Sequence, residues 1–104
     1  MASSKAYLEY IQDQLSGLDD VRYRSMMGEY IIYYRGRIVG GIYDNRFLVK
    51  PTKSALAMIP DAVMELPYEG AKEMLLVEDL ENRDFLCNLM KTIFDELYGS
   101  NPEN

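Results

Sequence analysis

The chain has 104 residues, 48% of them apolar and 27% charged, with a formal net charge of −6. That length suits a single hydrophobic core, and the apolar content excludes an intrinsically disordered chain. No apolar run approaches the roughly 18–20 residues of a bilayer-crossing helix. The start, Met1-Ala2-Ser3-Ser4-Lys5, leads into an amphipathic segment, without the apolar stretch of a signal peptide. The expectation is one cytoplasmic domain over residues 1–104, ordered from about 4 to 98, with no membrane contact.

Leu8, Ile11, Leu15 and Leu18 recur at helical spacing, predicting a helix from Ser4 to Ser16. Ser3 or Ser4 caps its start, and Gly17 suits a left-handed end. Segment 21–26 fits a strand with Val21, Tyr23 and Ser25 on one face and Arg22 and Arg24 on the other. Gly28 marks a bulge or bend. Tyr30 to Tyr34 is aromatic and β-branched, as pleated surfaces favour, and Arg35-Gly36-Arg37 reads as a tight turn. A further strand, Ile38 to Tyr43, contains Gly40-Gly41, which signals a bulge or the close approach of another chain segment. Asp44-Asn45 is a second turn, and Arg46 to Lys50 the next strand, so an antiparallel meander is expected.

Thr52 is the natural cap of a short helix that turns Leu56 and Ile59 inward and stops at Pro60. Segment 62–68 reads as a short extended edge, 69–72 as a turn and Met74 to Val77 as a buried strand. The last helix carries a wide stripe of Phe85, Leu86, Leu89, Met90, Ile93, Phe94 and Leu97. Asp79 is its candidate cap, Gly99 marks its end, and the tail 100–104 is expected to fray. The order α-β-β-β-α-(β)-β-α describes an α+β two-layer sandwich with helices on one face of an antiparallel sheet. The other face is left to solvent, a ligand or a partner.

With no histidine, the commonest neutral-pH base and metal ligand are missing. One cysteine, Cys87, and no imidazole build neither a usual zinc site nor a Cys–His nucleophile. Cys87 is best read as a small buried hydrophobe. The pairs Asp19-Asp20, Glu78-Asp79 and Asp95-Glu96 read as solvated or helix-capping carboxylates. The seven methionines read first as adaptable core filling, and Met26-Met27 at the proposed bend alternatively as an adaptable contact for a partner. Segment 22–53 holds seven cations against two anions, a local charge of +5. Its arginines lie among Tyr23, Tyr30, Tyr33, Tyr34 and Tyr43. That pattern is read foremost as cross-strand packing, then as a protein interface, and last as a single-strand nucleic-acid platform.

The run Arg24-Ser25-Met26-Met27-Gly28-Glu29-Tyr30 resembles the Arg-x-Met-Phe-Gly-Gly-Tyr signature of the TfoX/Sxy N-terminal domain, with Met27 for Phe and Glu29 for the second Gly. Gly36, Asp44 before Phe47-Leu48-Val49-Lys50, and Pro67-Tyr68 keep the family's order. The resemblance implies a sandwich similar to type III secretion chaperones, a link to bacterial competence regulation, and structural motif residues: Arg24, Met26, Gly28, Tyr30, Gly36, Asp44, Lys50, Pro67 and Tyr68. It implies no catalytic residue and no cofactor. The helical C-terminal domain of competence-linked relatives is not expected in this chain.

The reading is thus a non-enzymatic regulatory or adaptor domain working by contact with a protein partner or a second copy. Candidate contact residues are Arg22, Arg24, Arg35, Arg37, Met27 and Tyr33. Direct nucleic-acid binding through segment 22–53 and a small-molecule pocket near Gly40-Gly41 are the alternatives.

Overall fold

A computed structural model of the chain describes residues 2–99. The elements are α1 (Lys5–Gln14), β1 (Val21–Met26), β2 (Glu29–Tyr34), β3 (Arg37–Ile42), β4 (Phe47–Val49), α2 (Lys53–Met58), β5 (Met64–Glu65), β6 (Met74–Leu76) and α3 (Arg83–Phe94). A π-helical turn, Asp95–Gly99, continues α3. The strands form one antiparallel sheet in the order β1-β2-β3-β4-β6-β5. This is the expected α+β architecture, with four strands ahead of α2 where the order α-β-β-β-α-(β)-β-α counts three.

Residues 21–49 fold as a meander because three two-residue hairpins succeed one another. Met27-Gly28 has φ of 53° and 85°, Arg35-Gly36 has 53° and 81°, and Asp44-Asn45 has 54° at both positions. Two successive positive φ angles define the type I′ turn, whose twist matches that of the flanking strands. The turns at Met27-Gly28 and Asp44-Asn45 lie at one end of the sheet, and Arg35-Gly36 lies at the other.

One face of the sheet meets the helices. Ile32, Tyr34, Val39, Ile42, Phe47, Val49, Leu75 and Val77 bury against Leu8, Ile11 and Leu15 of the α1 region, Ala55 of α2, and Leu86, Leu89, Met90 and Ile93 of α3. Ser4 caps α1 by accepting the Tyr7 N–H, and Thr52 caps α2 by accepting the Ala55 N–H, both at 3.1 Å. Cys87 is half-buried against the core, its sulfur beside Gly17.

Several expectations are corrected. Asn82 caps α3, accepting the Phe85 N–H; Asp79 lies too far ahead of the first turn. Gly17 is not left-handed; Leu15 closes α1 at φ −95° and ψ 7°. Leu56 and Leu97 are exposed, because Ala55 is the residue α2 buries and the widened turn after Phe94 rotates Leu97 outward. Residues 100–104, expected to fray, lie outside the described residues.

Gly40 and Gly41 answer both readings of the double glycine. The β2–β3 register shifts between Ile32 and Tyr33, a bulge that leaves Val39 unpaired and buried. A Cβ on Gly40 would strike the Leu48 carbonyl of the neighbouring strand. One on Gly41 would lie 2.6 Å from the Tyr43 ring and 2.8 Å from the Tyr30 carbonyl oxygen. Gly41→Ala is therefore expected to cost about 1–3 kcal/mol by overpacking. Gly36→Ala, which meets nothing within 4 Å, is expected to cost about 1–2 kcal/mol for its left-handed φ alone. Urea unfolding, with near-ultraviolet dichroism to follow the tyrosines, measures both; only Gly41→Ala should disturb the tyrosine signal.

Candidate interaction surface

The outer face of the sheet, away from the helices, carries Arg22, Arg24 and Met26 of β1, Ile31 and Tyr33 of β2, Gly41 of β3, Leu48 of β4 and Leu76 of β6, as the register requires. Leu48 is 0% exposed yet lies apart from the helix-side core, so something on the outer face covers it. The cover is the protein's own: Tyr43 folds back over Gly41, and segment 66–68 lies beside it, with Pro67 buried and the Tyr68 ring 6.1 Å from that of Tyr43.

Arg46 holds this cover in place. Its Nε donates to the Tyr43 carbonyl at 3.0 Å. One terminal nitrogen reaches Glu65 at 2.7 Å and the Leu66 carbonyl at 3.2 Å, and the other reaches the Pro67 carbonyl at 3.5 Å. The planar, multiply donating guanidinium suits that convergence, which an ammonium cannot reproduce. The Arg46–Glu65 pair is about two-thirds shielded, unlike Arg22–Asp20, whose exposed partners gain little.

A second network joins the hairpin tips. Glu29 Oε1 accepts from the Ser3 hydroxyl at 2.5 Å and from the Asp44 N–H at 3.1 Å. Ser3 Oγ accepts the Asn45 N–H, the Ser3 N–H donates to the Gly28 carbonyl, and the Ser4 N–H donates to Asn45 Oδ1. Glu29 thus ties the start of α1 to both tips.

Between these two networks opens a cleft of about 410 Å³ lined by Met26, Met27, Glu29, Tyr43 and Tyr68. Residues far apart in sequence meet there, including Met26, Met27 and Tyr68 of the sequence-predicted set. A contiguous groove of about 330 Å³ past the Tyr43–Tyr68 pair includes Lys50, Pro67, Lys72 and Ile38. Met27 corrects the core-filling reading: it is 96% exposed, at the left-handed first position of its turn.

The other predicted residues disperse. Tyr30 packs on the helix side, edge-to-face with Tyr23 at 5.7 Å. Gly36 lies at the far end. Arg35 sits there over Tyr34 and Phe94, at 5.3 and 6.0 Å, and Arg37 over Tyr98 at 5.3 Å. Arg22, Arg24 and Tyr33 share the outer face of the first two strands. The +5 segment therefore does not make one basic surface: Arg46 is held internally, Arg35 and Arg37 stack on aromatics at the far end, and Lys53 begins α2.

Sequence reasoning missed Arg46 and Glu65, and read Glu96 as a solvated or helix-capping carboxylate without showing which helix it caps. Arg46 entered only as a charge, and no local pattern shows its four acceptors. Glu96 accepts the Ser54 and Lys53 N–H groups at 2.9 and 3.2 Å, capping α2 from across the molecule. Hydrogen bonds from Ser54, before others, hold its carboxyl below the usual range.

The fold defines a small α+β domain whose one-sided sheet presents an aromatic- and methionine-lined surface. Residues 13–85 match the TfoX N-terminal domain model; the chain belongs to that family. It is also similar to an "Uncharacterized 12.7 kDa protein in trpE 5'region" of Spirochaeta aurantia, 34% identical over 80 residues, or 77% of this chain and 70% of that protein. No solved structure matches the chain significantly. Among the described residues, no helix is long and apolar enough to cross a membrane.

Burial, then electrostatic repulsion from Tyr68 and from Glu29, raises the Tyr43 phenol above its ordinary pKa of 10.0. Burial likewise raises Tyr7. A raised folded-state pKa means the folded state holds its protons longer, so the stabilisation is intact below about pH 10 and is lost as pH climbs through the folded values. The thermal midpoint is therefore expected to fall above about pH 10. Tyr43→Phe should lessen that fall, with absorbance near 295 nm, the phenolate band, following the tyrosines that remain.

Proposed function

We propose that this chain is a non-catalytic adaptor or regulatory domain that works by protein contact, using the Met26–Met27 tip and the Tyr43–Tyr68 wall as its recognition surface. Met27 is the observation that carries the reading. A type I′ turn favours Asn or Asp before Gly, because those residues tolerate positive φ. Here a long apolar side chain occupies that position and stands almost wholly in water. Both choices cost folding free energy, and such local conflicts concentrate at functional positions. Methionine's flexible thioether suits adaptable apolar contacts, and tyrosine is enriched at interface centres. The family's signature, as it resembles residues 24–30, also sets a large apolar residue at this tip.

Membership of the TfoX N-terminal family supports placing this contact within regulation of DNA uptake. Dispersal of the cations along the sheet and at its far end favours a protein partner over nucleic acid, which needs concentrated phosphate-binding charge.

Met27→Asn separates contact from folding. An Asn-Gly turn is better suited to the backbone, so stability should hold within about 0.5 kcal/mol or rise. Affinity capture from the source cell's extract should retain a partner on the wild-type chain and lose it on Met27→Asn. Equal capture by both, or none by either, refutes the proposal.

A further inference from the structure

We infer that the free edge of β1 is a docking site for an extended acidic peptide segment, added as a seventh strand with carboxylates at alternate positions facing Arg22 and Arg24. This deepens the proposed protein-contact function and rests on it.

Among the described residues the edge is unpaired, and it is long. β1 ends the strand order and spans six residues, five of them exposed, whereas the opposite edge, β5, has two. Natural sheets usually blunt so extended an edge. The ladder phase shows which groups face outward. The Arg35 N–H donates to the Asp20 carbonyl at 3.0 Å, and Asp20 stands opposite Arg35 by continuation of the register. Antiparallel pairs alternate between bonded and unbonded, so positions 20, 22, 24 and 26 bond to β2. Val21, Tyr23 and Ser25 therefore point their backbone N–H and C=O groups away from the sheet, at the spacing an incoming strand needs.

Side chains decide what that strand is. Arg22 and Arg24 stand two residues apart on the outer face, so an added strand places its own alternate residues beside them. Arg22 shares an exposed ion pair with Asp20; among the described residues, Arg24 has no ion pair. A second copy of this chain is disfavoured. A two-fold axis through a continuous antiparallel sheet pairs residues of the same face. In the two registers that pair the most of β1, an axis at Tyr23 sets Arg22 opposite the other copy's Arg24, and one at Arg24 sets that residue against itself. Like charges directly opposite are destabilising.

A strand with glutamate or aspartate at those positions replaces repulsion with attraction. The chain's net charge of −6 does not reverse this, because the Debye length is about 8 Å at physiological salt and distant charges are screened. Beyond Arg24 on the same face lies Met26, which opens into the Met27–Tyr43–Tyr68 cleft. The segment therefore ends in an apolar residue on the side next to that cleft.

The probe is a fluorescein-labelled peptide as long as β1, alternating glutamate with valine and ending in methionine. The intact protein should bind it saturably in fluorescence anisotropy, and added salt should weaken binding. Arg24→Glu should weaken it by about tenfold or more, on the scale of a close charge pair. Ser25→Pro removes one outward N–H, a change an edge strand tolerates, and should weaken binding similarly; Arg24→Glu keeps the test independent of whether that variant folds. Bound peptide should slow amide hydrogen exchange at Tyr23 and Ser25. Absence of saturable binding, equal binding of the lysine-for-glutamate peptide, or protection appearing elsewhere overturns the inference. So does sedimentation of a dimer whose Tyr23 and Ser25 amides are already protected without peptide, which would assign the edge to a second copy. Met27-dependent capture of a partner with no peptide binding would reject the β1 site while leaving the contact function standing. Peptide binding at β1 with capture indifferent to Met27 would reject the Met27 reading instead.

Discussion

The fork of Arg46 organises the outer face. From the root of the β3–β4 turn it binds the carbonyl of Tyr43 beside it, the carboxylate of Glu65, and the carbonyls of Leu66 and Pro67. Glu65 ends the two-residue β5, and the carbonyls of Leu66 and Pro67 lie just past its pairing with β6. The guanidinium thereby helps to hold Pro67 in its buried place and Tyr68 beside Tyr43. Charge–dipole bonds to several acceptors are stronger and more directional than apolar contact alone, which is why one residue can position a loop this way.

Glu29 does the corresponding work at the tips. Where the family signature carries a second glycine, this chain has a carboxylate accepting from Ser3 and Asp44. Those bonds bring the chain start and the hairpin ends together and leave the cleft bordered by two polar networks. Met27 stands between them, almost wholly exposed.

Much of this was legible in the sequence where the cause is local. Glycine and Asx turns, Ser4 and Thr52 as caps, the period-two alternation of residues 21–26, and the α3 stripe all act within a few positions. Gly40-Gly41 announced a close approach without naming the intruder, because the Tyr43 ring returns to the sheet from two residues on. The resemblance to the TfoX N-terminal domain identified the family, yet could not say that Met26 and Tyr68 line one cleft while Gly36 and Tyr30 go elsewhere. The misreadings share a character. Core filling is the first reading of Met27 because methionine is apolar, with partner contact as its alternative, and Asp79 reads as a cap because aspartate is a good one; neither rule sees which turn the backbone has chosen. Arg46 and Glu96 act across 19 to 43 positions, a separation over which one sequence carries no pattern.

The two ends of the described chain leave at opposite poles. Ser3 is pinned beside Gly28 and Asn45, next to the cleft, while Tyr98 donates to the Ile38 carbonyl by the far turn. Any purification handle, fluorophore or solid support joined ahead of Ser3 would crowd the cleft and the hairpin tips. Attachment after Gly99 keeps the bulk of the molecule between the linkage and the tips.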